Sequence, residues 1–315
     1  MAEGPIGGVT RPAALPRLVL TAAACVLGLA PILVRLTETG PAAAGFWRLF
    51  LALPLLLALN LAFAGRDVDA SEASLTPNRW MFLAGGFFAL DLGFWHYGIT
   101  LTSVANATVL CNLTPVVVTA VAWVAFRERP GGGFLIALAV ALAGAFAMAA
   151  GADPAQGRQP LLGDLLSLAV SFWYAGYFLA VKAARRTASA LKVMLWSTAA
   201  GAPLMLVAAL LFGEDILPVA PIGWLFCGLF ALVHVAGQTG VTWALGRLPA
   251  GLTALVILIQ PLVAALFGWL LFAETLTLVQ ALGGALVLAA VAIAQWTSAQ
   301  KKTGAKAEAL APVET

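Results

Sequence analysis

Residues 112–128 read NLTPVVVTAVAWVAFRE, and residues 258–274 read LIQPLVAALFGWLLFAE. The two stretches align without a gap, and the identical residues at matching positions are Pro115 and Pro261, Val117 and Val263, Trp123 and Trp269, Phe126 and Phe272, and Glu128 and Glu274. Apolar helices share leucine, alanine and valine by composition alone. Proline, tryptophan, phenylalanine and glutamate in one register therefore indicate an internal repeat.

The rest of the chain is strongly apolar. Of its 315 residues 62% are hydrophobic and 10% are charged, and the mean hydropathy is +0.98, whereas soluble domains carry about 25% charged residues. Runs of about 20 apolar residues, the length that crosses a hydrocarbon core about 30 Å thick, recur with short polar interruptions. They predict an all-α integral membrane protein with ten transmembrane helices, at residues 17–36, 41–63, 79–100, 103–126, 133–151, 161–182, 190–212, 219–244, 249–273 and 277–297.

The positions of lysine and arginine predict the orientation. If the N-terminus is cytoplasmic, most of the 17 basic residues lie on the cytoplasmic side, while Arg35 and Arg158 lie outside and Arg48 lies within the second span. Basic residues favour cytoplasmic connections. We therefore expect both termini in the cytoplasm, in a bacterial inner membrane.

Ten spans and one repeat give two halves of five helices each. Because five is odd, the second half enters the membrane in the opposite sense, and the repeat is inverted. Inverted repeats place a substrate site near the bilayer midplane and open it to each side in turn, so one chain is sufficient as a monomer. The predicted segments are a cytoplasmic tail (1–16), a first repeat (17–151), a periplasmic linker (152–160), a second repeat (161–297) and a disordered cytoplasmic tail (298–315).

The sequence lacks the motifs that are typical of several other functional classes. The basic residues are scattered at helix ends, which gives no support for nucleic-acid binding. Cys25, Cys111 and Cys227 lie inside apolar runs without paired spacing, and no metal, nucleotide or nucleophile motif is present. We expect neither an enzyme nor a cofactor or metal site, and the expected partners are the lipid bilayer and a small-molecule substrate.

Ionisable residues inside spans are costly and are functional candidates by default. They are Arg48, Asp91, His96 and His234. The carboxylate of Asp91 is suited to carrying a coupling proton, binding a substrate ammonium or pairing with Arg48. His234 begins a polar stripe, spaced four residues apart, that faces either a pore or another helix.

The remaining candidates are aromatic and polar residues near the same predicted depth, and residues at hinges or helix ends. Together with Asp91, His96 and His234, the candidates for substrate binding or coupling are Trp95, Tyr97, Asn112, Trp173, Tyr177, Gln238, Thr242, Trp243 and Gln260. Together with Arg48, the candidates for hinges or gates are Pro115, Pro261, Glu128 and Glu274. Aromatic walls suit an apolar substrate or an ammonium group, although aromatic residues also populate membrane interfaces.

The sequence resembles the drug/metabolite transporter superfamily, specifically its EamA-type ten-helix exporters. The resemblance covers residues 17–297 and rests on Arg48, on Pro115, Glu128 and Gly144 in the first half, and on Pro261, Glu274, Gly283 and Gly284 in the second. One departure is Leu27-Gly28, where that family usually has a Trp-Gly pair. The resemblance implies export of amino acids or of amphipathic metabolites and drugs by alternating access, and bacterial aromatic amino acid exporters are its nearest analogy.

Two other functions remain open. An exchanger of phosphorylated or nucleotide-linked metabolites needs several basic residues in the bundle, and Arg48 alone is intramembrane. A channel needs a continuous polar lining, and a sensor usually has a soluble output domain. Neither feature is evident in the sequence.

Overall fold

The computed structural model describes residues 14–63, 76–102, 110–150, 159–272 and 277–310. Within these ranges every regular element is a helix. In chain order the helices are α1 (Leu15–Leu27), α2 (Ala30–Leu36), α3 (Pro41–Phe50), α4 (Ala52–Ala62), α5 (Arg79–Leu101), α6 (Thr114–Phe126), α7 (Gly132–Ala150), α8 (Pro160–Ala184), α9 (Ala190–Leu211), α10 (Pro221–Val233), α11 (Thr239–Leu245), α12 (Ala250–Ile257), α13 (Ile259–Phe272) and α14 (Leu278–Leu310). A π-helical turn, His234–Gln238, joins α10 to α11.

Seven stretches of the described chain are long and apolar enough to cross a membrane. They are Leu15–Leu36, Pro41–Ala62, Leu161–Ala184, Ala190–Leu211, Pro221–Leu245, Ala250–Leu271 and Leu278–Thr297. Helices α5, α6 and α7 occupy the places of the third, fourth and fifth predicted spans, and α6 and α7 contain shorter apolar segments. The all-helical membrane fold is thus confirmed, while the number of ten spans and the side of each terminus stay predictions.

Four of the predicted spans are interrupted. The breaks separate α1 from α2, α3 from α4 and α12 from α13, and a turn at 112–113 precedes α6. A proline follows each break within a few residues, at Pro31, Pro54, Pro115 and Pro261. Proline has no backbone N–H and its ring clashes with the carbonyl four residues earlier, so the helix restarts there.

The break before α6 shows how the lost hydrogen bond is replaced. Pro115 cannot donate to the carbonyl of Cys111, and the hydroxyl of Thr114 donates to that oxygen instead, at 2.7 Å. Pro115 is the second residue of α6, and Pro261 is the third residue of α13. Both prolines therefore stand in the first turn of a new helix, a position that tolerates proline.

The two halves interlock around the breaks. Helix α1 of the first half packs against the π-helical turn and α11 of the second, and α5 packs between α8 and α9. Helices α7 and α14 cross at glycines: a Cβ added to Gly144 would lie 2.6 Å from the carbonyl oxygen of Gly283, and the reverse distance is also 2.6 Å. Small residues at such crossings let membrane helices approach closely.

Candidate functional site

A buried polar and aromatic cluster lies where α3 and α5 of the first half meet α8, α9 and the π-helical turn of the second. At its centre is Arg48 on α3, 5% exposed. The Arg48 Cζ lies 4.8 Å from the ring centre of Phe230 and 5.4 Å from that of Phe88. These two rings hold the guanidinium group by cation–π contacts in a protein interior.

Asp91 stands three residues after Phe88 on α5 and is 8% exposed. Residues three apart lie on the same face of a helix, so the carboxylate projects from the same side as the ring that Arg48 covers. The charges of Asp91 and Arg48 act on each other. Among the described residues, however, no ion pair within 4.0 Å and no hydrogen bond connects them or engages either group.

The polar stripe of the second half lies within the bundle. His234 Nε2 shares a hydrogen bond of 3.0 Å with the hydroxyl of Thr198, and Gln238 accepts one of 3.3 Å from the hydroxyl of Tyr177. The hydroxyl of Thr242 donates to the sulfur of Met194 at 3.2 Å. The stripe thus faces α8 and α9. The π-helical geometry at His234–Gln238 is of the kind often found at functional positions in helices.

Two groups of aromatic rings lie beside these polar side chains. The ring of Phe88 lies 5.0 Å from that of Tyr177 and 5.6 Å from that of His234, and Tyr174 stacks on Tyr177 at 5.8 Å. Trp173 stacks on Phe87 at 6.3 Å and meets Phe94 edge-on at 5.7 Å. The rings of Phe88, Tyr177 and Tyr174 form an aromatic wall next to Arg48.

Several polar atoms of this region are enclosed without a hydrogen-bond partner in the described structure. They are Nε of Arg48, both ring nitrogens of His96, Nδ2 of Asn112, Nε1 of Trp173, Nδ1 of His234 and Oγ of Ser167. Buried polar groups are normally paired, and an unpaired one costs about 1–3 kcal/mol. A bound polar ligand or ordered water would supply partners for these groups.

Four predicted residues lie at the edge of the cluster or away from it. Trp95 is half-buried, with its ring 5.0 Å from that of His96. Trp243 lies under Arg247, whose Cζ is 3.9 Å from the indole ring, at the end of α11. The half-buried Gln260 follows the break between α12 and α13, and its backbone oxygen would lie 3.0 Å from a Cβ added to Gly28.

Tyr97, the fourth, belongs to one end of the bundle. Its hydroxyl donates to Oε1 of Glu214, and Oε2 of the same carboxylate accepts from the backbone N–H of Ala43 at 2.9 Å, within the first turn of α3. Nearby, Trp47 Nε1 donates to the carbonyl of Ile216 at 2.7 Å. All three contacts join the first half to the second.

At the opposite end of the bundle, Glu128 joins the two halves. Its Oε1 pairs with Lys182, and its Oε2 accepts from the backbone N–H of Ala250 at 3.0 Å, at the start of α12. A carboxylate there also opposes the positive end of the α12 dipole. These contacts again join the two halves. The matching residue, Glu274, lies outside the described residues, and the hinge and gate roles of all five candidates stay predictions.

Sequence reasoning missed several members of the cluster and of the end contacts. Phe88, Phe230, Tyr174 and Thr198 belong to the cluster, and Glu214 belongs to the end contacts. Tyr174 had a signal, because it stands beside Trp173 and three residues before Tyr177. The two phenylalanines had none, since lipid-facing and site-facing phenylalanines look alike in an apolar helix. Within the described residues, no group of three or more His, Cys, Asp or Glu side chains is placed to hold a metal ion.

Comparison with known proteins agrees with this architecture. The chain matches the EamA-like transporter family twice, over residues 16–150 and 161–296. It is 27% identical over 273 residues to an uncharacterized transporter of Archaeoglobus fulgidus, covering 86% of this chain and 93% of that protein. A solved structure, described only as the crystal structure of a protein, has a TM-score of 0.73 at 19% identity and covers 90% of this chain and 98% of that one, which shows a shared fold. The predicted resemblance is confirmed: the chain belongs to the EamA-like transporter family, and it is a multi-pass membrane transporter rather than an enzyme.

Proposed function

We propose that this protein is a secondary carrier that exports amino acids, first aromatic and other hydrophobic ones, and related small amphipathic metabolites or drugs by alternating access across a bacterial inner membrane. The observation that carries the proposal is the buried cluster of Arg48, Asp91 and aromatic rings between the two halves. An amphipathic solute needs both polar partners and an apolar wall, and the cluster provides them together.

The contacts at the two ends of the bundle support an alternating mechanism. Glu214 connects the halves at one end, and Glu128 connects them at the other. Under the predicted orientation the Glu214 end faces outward and the Glu128 end faces the cytoplasm. Breaking one set while the other holds would open the cluster to one side at a time.

Transport of phosphorylated or nucleotide-linked metabolites fits the cluster less well. A doubly charged phosphate is usually bound by several arginine or lysine side chains. In the described part of the cluster Arg48 is the one fixed cation, and the carboxylate of Asp91 would repel an anion.

Counterflow in proteoliposomes tests the proposal. Vesicles preloaded with one unlabelled amino acid are given labelled Phe, Trp, Thr or Met outside, with and without a pH gradient. We expect saturable counterflow, strongest for Phe and Trp, and the pH gradient shows whether protons are coupled. An absence of flux for every amino acid, in protein shown to be folded, would contradict amino-acid transport and move the search to other metabolites.

A further inference from the structure

The Arg48 guanidinium and the Asp91 carboxyl group are both buried in the cluster, and neither has a hydrogen-bond or ion-pair partner among the described residues. Both residues are more than nine-tenths buried. In a low-dielectric interior, opposite charges attract strongly, and separate burial without partners is costly for both. A ligand that carries the complementary charges would supply both missing partners.

The atoms that would meet this ligand are the ones left accessible. Nε of Arg48 is enclosed, whereas its Nη atoms, which also lack a partner, are not among the enclosed atoms. The same holds for the carboxylate oxygens of Asp91. The rings of Phe230 and Phe88 hold the guanidinium carbon and leave the Nη atoms available for a planar, two-pronged contact with a carboxylate.

The aromatic wall begins beside the charged groups. Phe88 contacts both Arg48 and Tyr177, and Tyr174 continues the wall from Tyr177. A ligand whose charged groups lie between Arg48 and Asp91 thus has an apolar or aromatic side chain next to these rings. A carboxylate, an ammonium group and an adjacent apolar side chain occur together in a free α-amino acid.

We infer that Arg48 and Asp91 are the specificity-determining pair of the transport site, with Arg48 binding the α-carboxylate and Asp91 the α-ammonium of a zwitterionic amino acid. The inference rests on the proposed function and adds a requirement to it. Both charges must be present on the same substrate, so an amine without a carboxylate and an acid without an ammonium are excluded.

The first test needs no variant. Uptake of labelled phenylalanine into phenylalanine-loaded proteoliposomes is measured with phenethylamine or 3-phenylpropionate as competitor. Each analogue leaves one buried charge unpaired, which corresponds to roughly ten- to a hundredfold weaker competition than unlabelled phenylalanine. Equal competition by all three compounds would overturn the inference.

The second test removes one charge of the pair at a time and measures which analogue loses its disadvantage. In Arg48→Met the disadvantage of phenethylamine relative to phenylalanine should disappear, while that of 3-phenylpropionate remains or grows. In Asp91→Asn the disadvantage of 3-phenylpropionate should disappear instead. If the two residues have a purely structural role, each variant should change the apparent affinities for all three compounds by one common factor. That result would contradict the inference.

As matched controls, the same substitutions are made at an arginine and an aspartate outside the cluster. Arg79→Met removes an exposed arginine that stacks on Trp80 at the start of α5, and Asp215→Asn removes an exposed carboxylate. Both should keep the wild-type order of competitors. If the wild type shows no amino-acid counterflow at all, the proposed function itself fails. If counterflow proceeds without discrimination among the three compounds, only the charge-pair inference fails.

Discussion

At the scale of single residues, the hydrogen bonds of the cluster decide how well its polar groups are positioned. His234 has one partner, the hydroxyl of Thr198, and its Nδ1 has none among the described residues. Replacing Thr198 by valine keeps the shape of the side chain and removes that bond. The imidazole is then held by ring contacts alone, next to Phe88.

We expect Thr198→Val to lower stability by about 1–3 kcal/mol, because a buried group loses its partner, and to reduce amino-acid flux severalfold without preventing membrane insertion. Thermal unfolding in detergent and counterflow measure the two effects. Thr253→Val is the matched control, since this buried hydroxyl donates to Pro249 in the preceding turn at 3.1 Å. Wild-type flux in Thr198→Val would show that the stripe has no part in transport.

Residue chemistry was partly predictable from the sequence. Charged and polar side chains inside apolar runs are rare, so Arg48, Asp91 and His234 are recognisable without a structure. The facing direction of an aromatic ring is not, because both lipid and protein accept it. Phe88 therefore went unpredicted although it belongs to the cluster, and Trp243 was predicted although its ring contacts Arg247 instead.

At the scale of helices, close crossings depend on glycine. Gly144→Ala or Gly283→Ala would place a methyl group 2.6 Å from a carbonyl oxygen of the facing helix, which forces α7 and α14 apart. We expect either variant to lower the thermal midpoint clearly and to reduce the yield of folded protein. Gly228→Ala on α10 is the matched control, because nothing lies within 4 Å of its added Cβ. Equal stability of all three variants would contradict the crossing.

The Glu128 end offers a second test at this scale. Glu128 contacts both Lys182 and the start of α12, so Glu128→Ala should destabilise more than Lys182→Met. A double-mutant cycle by thermal unfolding should give a coupling of about 1 kcal/mol between the two side chains, as expected for residues in direct contact. Strict additivity would mean that the pair does not hold the halves together.

Most helix ends were predictable to within a few residues, but the breaks were not. The last helix, α14, continues to Leu310 and so includes residues 298–310, which the sequence predicted to be part of a disordered tail. Hydropathy averages over about 20 residues and so merges α1 with α2, and α12 with α13. The prolines mark the places, yet proline alone does not distinguish a kink from a complete restart. Pro203 lies inside α9, which continues past it.

At the scale of the whole molecule, the two repeats of one chain contact each other at both ends of the bundle. Within the described residues, the aligned stretches 112–128 and 258–272 each include a break and a proline-bearing restart, and both contact the other half. The repeat was visible in the sequence because proline, tryptophan and glutamate are uncommon enough to mark a register. The substrate was not, since the site combines side chains from α3, α5, α8 and the π-helical turn that only folding brings together.

Labelling of Cys111 tests the central claim most directly, that the cluster is a transport site reached from both sides. Cys111 adjoins the cluster, because its sulfur lies 3.5 Å from the carbonyl oxygen of Ser167 on α8. With Cys25 and Cys227 replaced by alanine, Cys111 is exposed to a membrane-impermeant methanethiosulfonate in right-side-out and in inverted vesicles. We predict modification from both sides, slowed severalfold in each case by phenylalanine. Modification from one side only, or rates unaffected by phenylalanine, would contradict an alternating site at this cluster.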